Sequence, residues 1–186
     1  CSKKGWETYG IEPDEKTRSF AKETYKLQVH DFSLFETATP HSFDVITLWH
    51  ALEHIHRLDE SLRAIKRLVK PKGVVLIAVP NHTSFDAKTY GPFWAAYDVP
   101  RHLYHFSPGT LQKLAERHGL VLSKMLPMKF DAFYVSLLSE KYIAREKGTM
   151  TNYFSALVNG VRSNWAGVKN LSRYSSITYV LRPRGL

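Results

Sequence analysis

The stretch from Phe43 to Val79 constrains the fold more than any other. Phe43-Asp44-Val45-Ile46-Thr47-Leu48-Trp49 is a short apolar, β-branched run, and Val74 to Val79 is six apolar residues without a break. Strands buried on both faces of a parallel sheet read this way. Between them Leu58, Leu62, Ile65, Leu68 and Val69 recur at helical spacing, Asp59 supplies an acid at the helix start, and Pro71-Lys72-Gly73 stops the helix and turns the chain. The unit is strand, helix, strand. In such a sheet the carboxyl ends of the strands open the crevice where ligands bind. The residues just past those ends are Trp49, His50, Glu53 and His54 after one strand, and Pro80 and Asn81 after the other.

Taken together, Phe43 to Leu48, Leu52-Glu53-His54, Val69-Lys70-Pro71-Lys72-Gly73 and the strand ending Val79-Pro80-Asn81 resemble the class I S-adenosylmethionine-dependent methyltransferases, in the branch of the ubiquinone-biosynthesis O-methyltransferases. The resemblance spans roughly residues 5 to 125, with the motifs in the family's order. It implies a Rossmann-like α/β sheet, mostly parallel with an antiparallel edge strand, S-adenosylmethionine as cofactor and S-adenosylhomocysteine as product. One element of the family is not found: no glycine-rich GxGxG loop occurs in the 186 residues. The first strand, expected at the sheet centre between the strands ending at Glu12 and Leu48, is missing with it. Strands pair about 4.8 Å apart, so its loss leaves a gap about two spacings wide and unpaired amides beside it. The expectation is a single methyltransferase domain over 1–186, incomplete at its N-terminus, with about 50 or more residues ahead of Cys1 in the complete protein.

Residue composition places the chain among globular proteins, with 44% hydrophobic and 23% charged residues. No apolar run approaches the roughly 18 residues of a membrane span, no signal peptide opens the chain, and it reads as cytoplasmic. The single cysteine, Cys1, cannot form an intrachain disulfide. The net charge of +9 is uneven: residues 1–106 hold 14 Lys and Arg against 13 Asp and Glu, whereas residues 107–186 hold 12 against 4. A non-enzymatic module whose basic C-terminal third binds an anionic partner is therefore the alternative function, although the cations are scattered and nucleic acid is not expected.

In chain order, Cys1 to Gly5 reads as a helix end closed by glycine, and Trp6 to Glu12 as a strand ending in an acid. An acid at that strand tip can accept hydrogen bonds from both hydroxyls of a ribose, the role the resemblance gives Glu12. Residues 14–25 form a helix with Phe20 and Ala21 facing inward, and Leu27 to Val29 a short strand. Past it, the resemblance places Asp31 at the adenine amino group and Phe32 against the purine face. Trp49 and His50 lie where the methionine arm and sulfonium would pass, and an aromatic face attracts a sulfonium as it does an ammonium. His50-Ala51-Leu52-Glu53-His54 also matches the H-x-x-E-H pattern of a zinc-protease class. That reading is set aside because the segment directly follows a buried strand, and no metal is expected.

Between Asn81 and Phe106 no clear period exists, but aromatic, histidine, glycine and proline residues are dense, which marks a functional lid rather than disorder. By resemblance this lid covers a small-molecule acceptor, with Trp94, Tyr97 and Arg101 as acceptor contacts and His102 or His105 as general base. Ser107 and Pro108 start the next helix, which ends at His118-Gly119; Leu120 to Met125 and Ile177 to Leu181 are strands. Residues 128–175 form a helical insertion. Its stripes, Phe133 to Leu138 and Phe154 to Trp165, need a covering surface, for which the lid aromatics and a second copy in a homodimer are the candidates.

Overall fold

The structure is a computed structural model describing residues 2–185. Cys1 and Leu186 lie outside the described residues, so the helix end expected at Cys1–Gly5 is seen from Ser2: a 3-10 turn at Ser2–Lys4, followed by Gly5 at φ 81°. β1 (Tyr9–Ile11) leads through α1 (Glu15–Tyr25) to β2 (Gln28–His30), parallel to β1 with Ile11 opposite His30. Asp14 caps α1, its carboxylate accepting from the Thr17 amide at 2.7 Å. A single turn, α2 (Leu34–Thr37), precedes β3 (Phe43–Trp49), which runs parallel to β4 (Val69–Pro80) and is joined to it by α3 (Leu58–Leu68). The expected stripe holds, with Leu58, Leu62, Ile65 and Leu68 buried.

Pro71-Lys72-Gly73 is not a separate turn. Strand β4 begins directly after α3, and the segment forms a bulge inside it, with Phe43 opposite Val69 but Val45 opposite Val74. A Cβ on Gly73 would lie 2.7 Å from Val69 Cγ2 and 2.9 Å from the Asp44 carbonyl oxygen, so the close approach admits only glycine.

After β4 come α4 (Phe85–Tyr90), two 3-10 turns at Gly91–Phe93 and Ala95–Tyr97, α5 (Pro108–Arg117) and β5 (Leu120–Pro127). Ser107 and Thr110 form a reciprocal cap at the start of α5. The insertion is α6 (Asp131–Lys147) and α7 (Tyr153–Lys169), and β6 (Ser176–Pro183) closes the sheet. The strand order is β3-β4-β6-β5. Strand β6 is antiparallel to both neighbours, which gives the expected antiparallel pair at this side and leaves β5 as the edge.

Two expectations are corrected by what surrounds β3 and α1. Among the described residues no strand stands between β1 and β3, and β1–β2 is a separate sheet. The Tyr9 and Phe43 rings, at the starts of β1 and β3, meet edge-on with centroids 5.6 Å apart. The β3 edge facing β1 is therefore unpaired, and Val45 and Trp49 are exposed; burial on both faces belongs to β4, where Val75, Ile77, Ala78 and Val79 are inaccessible. Likewise no residue of α1 is buried, and Phe20 is exposed against Tyr25 instead of facing inward.

The inserted helices meet through small residues. Ala132, Ser136 and Ser139 of α6 and Ala156, Gly160 and Ser163 of α7 are buried, and a Cβ on Gly160 would come within 2.4 Å of the Phe133 ring. Val135 and Leu138 of α6 pack on Tyr90, Trp94 and Ala95, as expected of a lid contact. The second stripe does not: Phe154, Leu157, Val161 and Trp165 face outward. No helix among the described residues is long and apolar enough to cross a membrane.

The insertion is tied to the sheet by Asp86, a fully buried carboxylate on α4. It accepts from the Trp94 indole at 2.8 Å, the Ser175 hydroxyl at 2.7 Å and the Ser163 hydroxyl at 2.9 Å, which joins the lid, the entry to β6 and α7. Removing the acceptor strands three buried donors, and hydrogen bonds to a charged group contribute about 1.5–3 kcal/mol each. Asp86→Ala is expected to lower unfolding free energy in urea by about 3 kcal/mol or more, and Asp86→Asn by less.

Candidate active site

Two groups of residues gather at the carboxyl ends of the strands. Because Ile11 pairs with His30, Glu12 and Asp31 leave adjacent strands side by side, about one strand spacing apart. One oxygen of Glu12 accepts from the Asp14 amide at 2.9 Å, while its own amide bonds the His30 carbonyl. Asp31 folds into a turn in which its carboxylate accepts from the Ser33 amide at 2.9 Å; hydrogen bonding from the Ser33 hydroxyl, then from that amide, holds its carboxyl below the usual range. Phe32 is half exposed beside Phe35, and Trp49 presents its ring to solvent at the end of β3. Glu12, Asp31 and Phe32 thus form an open shelf at the ends of β1 and β2, and Trp49 stands exposed at the end of β3 in the separate sheet.

The second group surrounds a cavity of about 280 Å³. Its floor is Pro80 and Ser176, where β4 ends and β6 begins; the lid supplies Asp98, Arg101 and His102, and α6 supplies Asp131, Tyr134 and Leu138. His50 lines this cavity as well, and so turns away from the shelf where the methionine arm was expected. Its backbone is left-handed at φ 47°, a conformation a non-glycine residue holds only when its surroundings demand it. Its Nε2 meets Asp131 Oδ2 at 2.9 Å and its Nδ1 meets Glu53 Oε1 at 3.3 Å. The hydrogen bond to Asp131, then that to Glu53, raises the imidazole pKa from 6.5 to about 9 against the opposing cost of burial, so His50 is a cation at neutral pH.

Expected acceptor residues divide in the same way. Arg101 reaches the cavity and pairs with Asp98 at 2.8 Å. Trp94 does not reach it: the ring is 1% exposed and its N–H is spent on Asp86, so it holds the lid together rather than touching a ligand. Tyr97 packs edge-on against Trp94 and is absent from the cavity wall. Of the two histidines, His102 lines the cavity, whereas His105 is exposed and bonded to the Tyr97 carbonyl at 2.9 Å, outside it. Asn81, just past β4, is also structural, its amide donating to the Ser172 and Tyr174 carbonyls at 2.6 and 3.0 Å. Sequence reasoning missed Asp131, Asp98 and Ser176; an acid opening an inserted helix carries no signal that it will meet a histidine 81 positions earlier.

A wider open depression of about 540 Å³ lies elsewhere, lined by Arg63, Lys66, Arg67 and Arg117 with Asp59 and His118. Of the twelve cations in residues 107–186, only Arg117 lines it. The basic C-terminal third does not converge on one surface there.

The family described as a methyltransferase domain matches residues 1–124. The ubiquinone biosynthesis O-methyltransferase of Aeromonas salmonicida is 31% identical over 125 residues, covering 62% of this chain and 52% of that protein. The chain thus spans about half the length of that relative. Among solved structures, a sarcosine dimethylglycine methyltransferase from Galdieria sulphuraria, so described with reserve in its source, superposes with a TM-score of 0.59 at 16% identity, covering 96% of this chain and 70% of that one. The [4+2]-cyclase SpnF superposes with a TM-score of 0.60 at 13% identity, covering 96% and 66%. These likenesses concern the fold.

The clamp on His50 has a pH signature. Its pKa is raised on folding, so its contribution to stability is complete below about pH 6.5, the unfolded value, and is lost as pH rises through about 9. After allowance for the side chain's partial exposure, stability in urea is expected to fall by about 1–2 kcal/mol between pH 6.5 and 9.5, and His50→Gln should flatten that fall.

Proposed function

Since the chain belongs to the methyltransferase-domain family of class I folds, we propose that it transfers a methyl group from S-adenosylmethionine to an oxygen of a small-molecule acceptor. The observation that carries this reading is the division of the strand ends into an acidic, aromatic shelf and a separate walled cavity. On the shelf, Glu12 takes the ribose hydroxyls, Asp31 the adenine amino group and Phe32 one purine face, while Trp49 at the end of β3 takes the cationic sulfonium side. The cavity takes the acceptor. Its wall combines tyrosine rings with Arg101, Asp131 and His102, a mixture that suits a phenol, a sugar or a lipid headgroup. Oxygen is favoured as the acceptor atom by the curated relatives, whose names describe O-methyltransferases.

When bound, S-adenosylmethionine would supply an electrophilic methyl group: the acceptor oxygen would bond to the methyl carbon as the carbon–sulfur bond breaks with its electron pair passing to sulfur, the hydroxyl proton would pass to His102 Nε2, and S-adenosylhomocysteine would leave. The protein's contribution is to hold nucleophile, methyl and sulfur in line and to exclude water. The His50–Asp131 contact fixes α6 across the cavity, and His102 is the polar lid group the acceptor meets. Glu12→Ala is expected to weaken S-adenosylhomocysteine binding by about 1.5–3 kcal/mol in calorimetry, with His105→Gln unchanged. Equal affinity of the Glu12 variant and the parent would remove the shelf from the cofactor site.

The outward face of α7 supports a homodimer. Phe154, Leu157, Val161, Trp165 and Val168 are 54–76% exposed and lie at offsets of −7, −4, 0, +4 and +7 from Val161. That spacing reads the same in both directions, so two copies of α7 crossing antiparallel at Val161 set Leu157 against the partner's Trp165 and Phe154 against the partner's Val168, a self-complementary contact. Sedimentation should show a dimer that Leu157→Glu dissociates; a monomer at every concentration would oppose the assignment.

A further inference from the structure

We propose that the depression lined by Arg63, Lys66, Arg67 and Arg117 binds a diphosphate group carried by a soluble small molecule. Its volume is about 540 Å³, and its wall sets those four cations and two histidines, His41 and His118, against the single carboxylate of Asp59. It shares no lining residue with the cavity beside His50. His41 precedes β3, Lys66 and Arg67 precede β4, and Arg117 and His118 precede β5. Strands β4 and β5 are each antiparallel to β6, and β3 is parallel to β4, so all these residues stand toward the same amino ends of the sheet. The cavity floor lies toward the other end, where β4 finishes at Pro80.

The fold, not a run of sequence, brings the cations together. Arg63, Lys66 and Arg67 lie at i, i+3 and i+4 on α3, the spacing that sets side chains on one face. Arg117 ends α5. Lys66 reaches across to that end: a Cβ on Gly119 would lie 3.2 Å from Lys66 Cε, so the lysine stem runs over the glycine turn after α5. Arg67 is held by donating to the carbonyls of Phe35 and Ala38, bonds that anchor its guanidinium without neutralising it. His41 has a left-handed backbone at φ 55°, and its Nδ1 donates to the Val69 carbonyl at 3.0 Å, which leaves Nε2 for a ligand.

Helix dipoles explain part of this pattern, since Lys66, Arg67 and Arg117 lie in the last turns of their helices, where cations are favoured. They do not explain Arg63, one turn earlier, or the meeting of two helices' cations in one depression. Among the described residues the lysine and arginine ion pairs involve Arg57, Lys70, Arg101 and Arg117, and neither Arg63 nor Lys66. Asp59 is turned toward α5, with Oδ1 2.7 Å from His118 Nε2 and 3.9 Å from Arg117 Nη2, so the α3 cations stay unneutralised. Like charges at that helical spacing are destabilising, and an anion held among them removes the cost. Guanidinium groups take phosphate oxygens in pairs, and a lysine adds a point charge. One phosphate group carries about −1.5 to −2 near neutral pH, so two linked groups match the wall's excess of cations better than one. The charge is confined to a single depression, whereas a nucleic acid needs a stripe. Residues 1–106 are nearly balanced in charge, which is why composition does not reveal the cluster on α3.

The test is calorimetric titration of the full chain with inorganic pyrophosphate in about 0.1 M salt, with orthophosphate, a DNA duplex and anionic phospholipid vesicles as comparisons. No methyl donor is present, so the result does not depend on the methyl-transfer reading. Expected are one pyrophosphate per chain, weaker binding of orthophosphate, and affinity reduced at least about threefold in Arg63→Gln and in Lys66→Gln. Lys70→Gln, which removes a cation paired with Asp44 outside the depression, should bind as the parent does. No saturable binding, equal affinity in the Arg63 and Lys66 variants and the parent, an equal loss in Lys70→Gln, or tighter binding of DNA or vesicles through Arg63 and Lys66 would overturn the assignment. Should either variant fail to fold, Arg117→Gln takes its place with the same expected loss.

Discussion

Strand β4 is the constraint on which the other parts of the structure depend. Like β6 it has hydrogen-bonded neighbours on both edges, and it is the member of the strand, helix, strand unit that is buried throughout its carboxyl half, at Val75, Ile77, Ala78 and Val79. Val75, Ile77 and Val79 share one core cluster with Leu62 and Ile65 of α3, Leu111 and Ala115 of α5, and Ile177, Tyr179 and Leu181 of β6, so their burial fixes where the strand's carboxyl end falls. Directly past that end, Asn81 bonds backward to the 172–174 segment and its amide bonds the Ser175 carbonyl. Five residues on, Asp86 collects three donors from the lid, α7 and the start of β6. The cavity floor, Pro80 and Ser176, is therefore held from behind by buried, satisfied polar groups, which fix a unique arrangement more strictly than apolar contact does.

The strand, helix, strand unit over 43–80 was legible because its periodicities are set by burial, and burial is what an apolar run reports. The same reasoning went astray where burial depends on a neighbour the run cannot announce. β3 has a free edge, so its apolar residues do not share β4's environment, and Phe20 on α1 has no layer above it. Turn chemistry was legible at Ser107 and Gly119. Gly73 was read correctly as special but for a turn, whereas its role is to let β3 and Val69 approach. Among the expected site residues, Glu12 and Asp31 follow β1 and β2, and His102 lines the cavity, positions that chain order alone conveys. The direction of a side chain is not conveyed by chain order: His50 meets Asp131, the Trp94 indole meets Asp86, and Tyr97 packs on Trp94.

Charge explains why His50 turned. A histidine after a strand end can face either the shelf or the insertion, and Asp131 at the start of α6 offers a carboxylate to a ring already close to Glu53. The resulting imidazolium between two carboxylates carries a gain that the open shelf, where Glu12 and Asp31 have local amide partners, does not match. The left-handed backbone at His50 is the cost of that choice, about 1–2 kcal/mol by general estimates.

The inserted helices show how one segment can serve two surfaces. Their common interface uses alanine, serine and glycine, which lets the backbones come close and leaves the large side chains free to point elsewhere. On α6 the larger residues Val135 and Leu138 pack on the lid and line the cavity beside His50. On α7 they point outward, because the helix's small face is already spent on α6 and on Tyr174, whose ring lies where a Cβ on Gly167 would be. A large apolar residue on the inner face of α7 would push α6 off the lid and open the cavity, while one on the outer face leaves the cavity intact. The inner face of α7 thus bears on the cavity through α6, whereas its outer face is free to answer to whatever covers it.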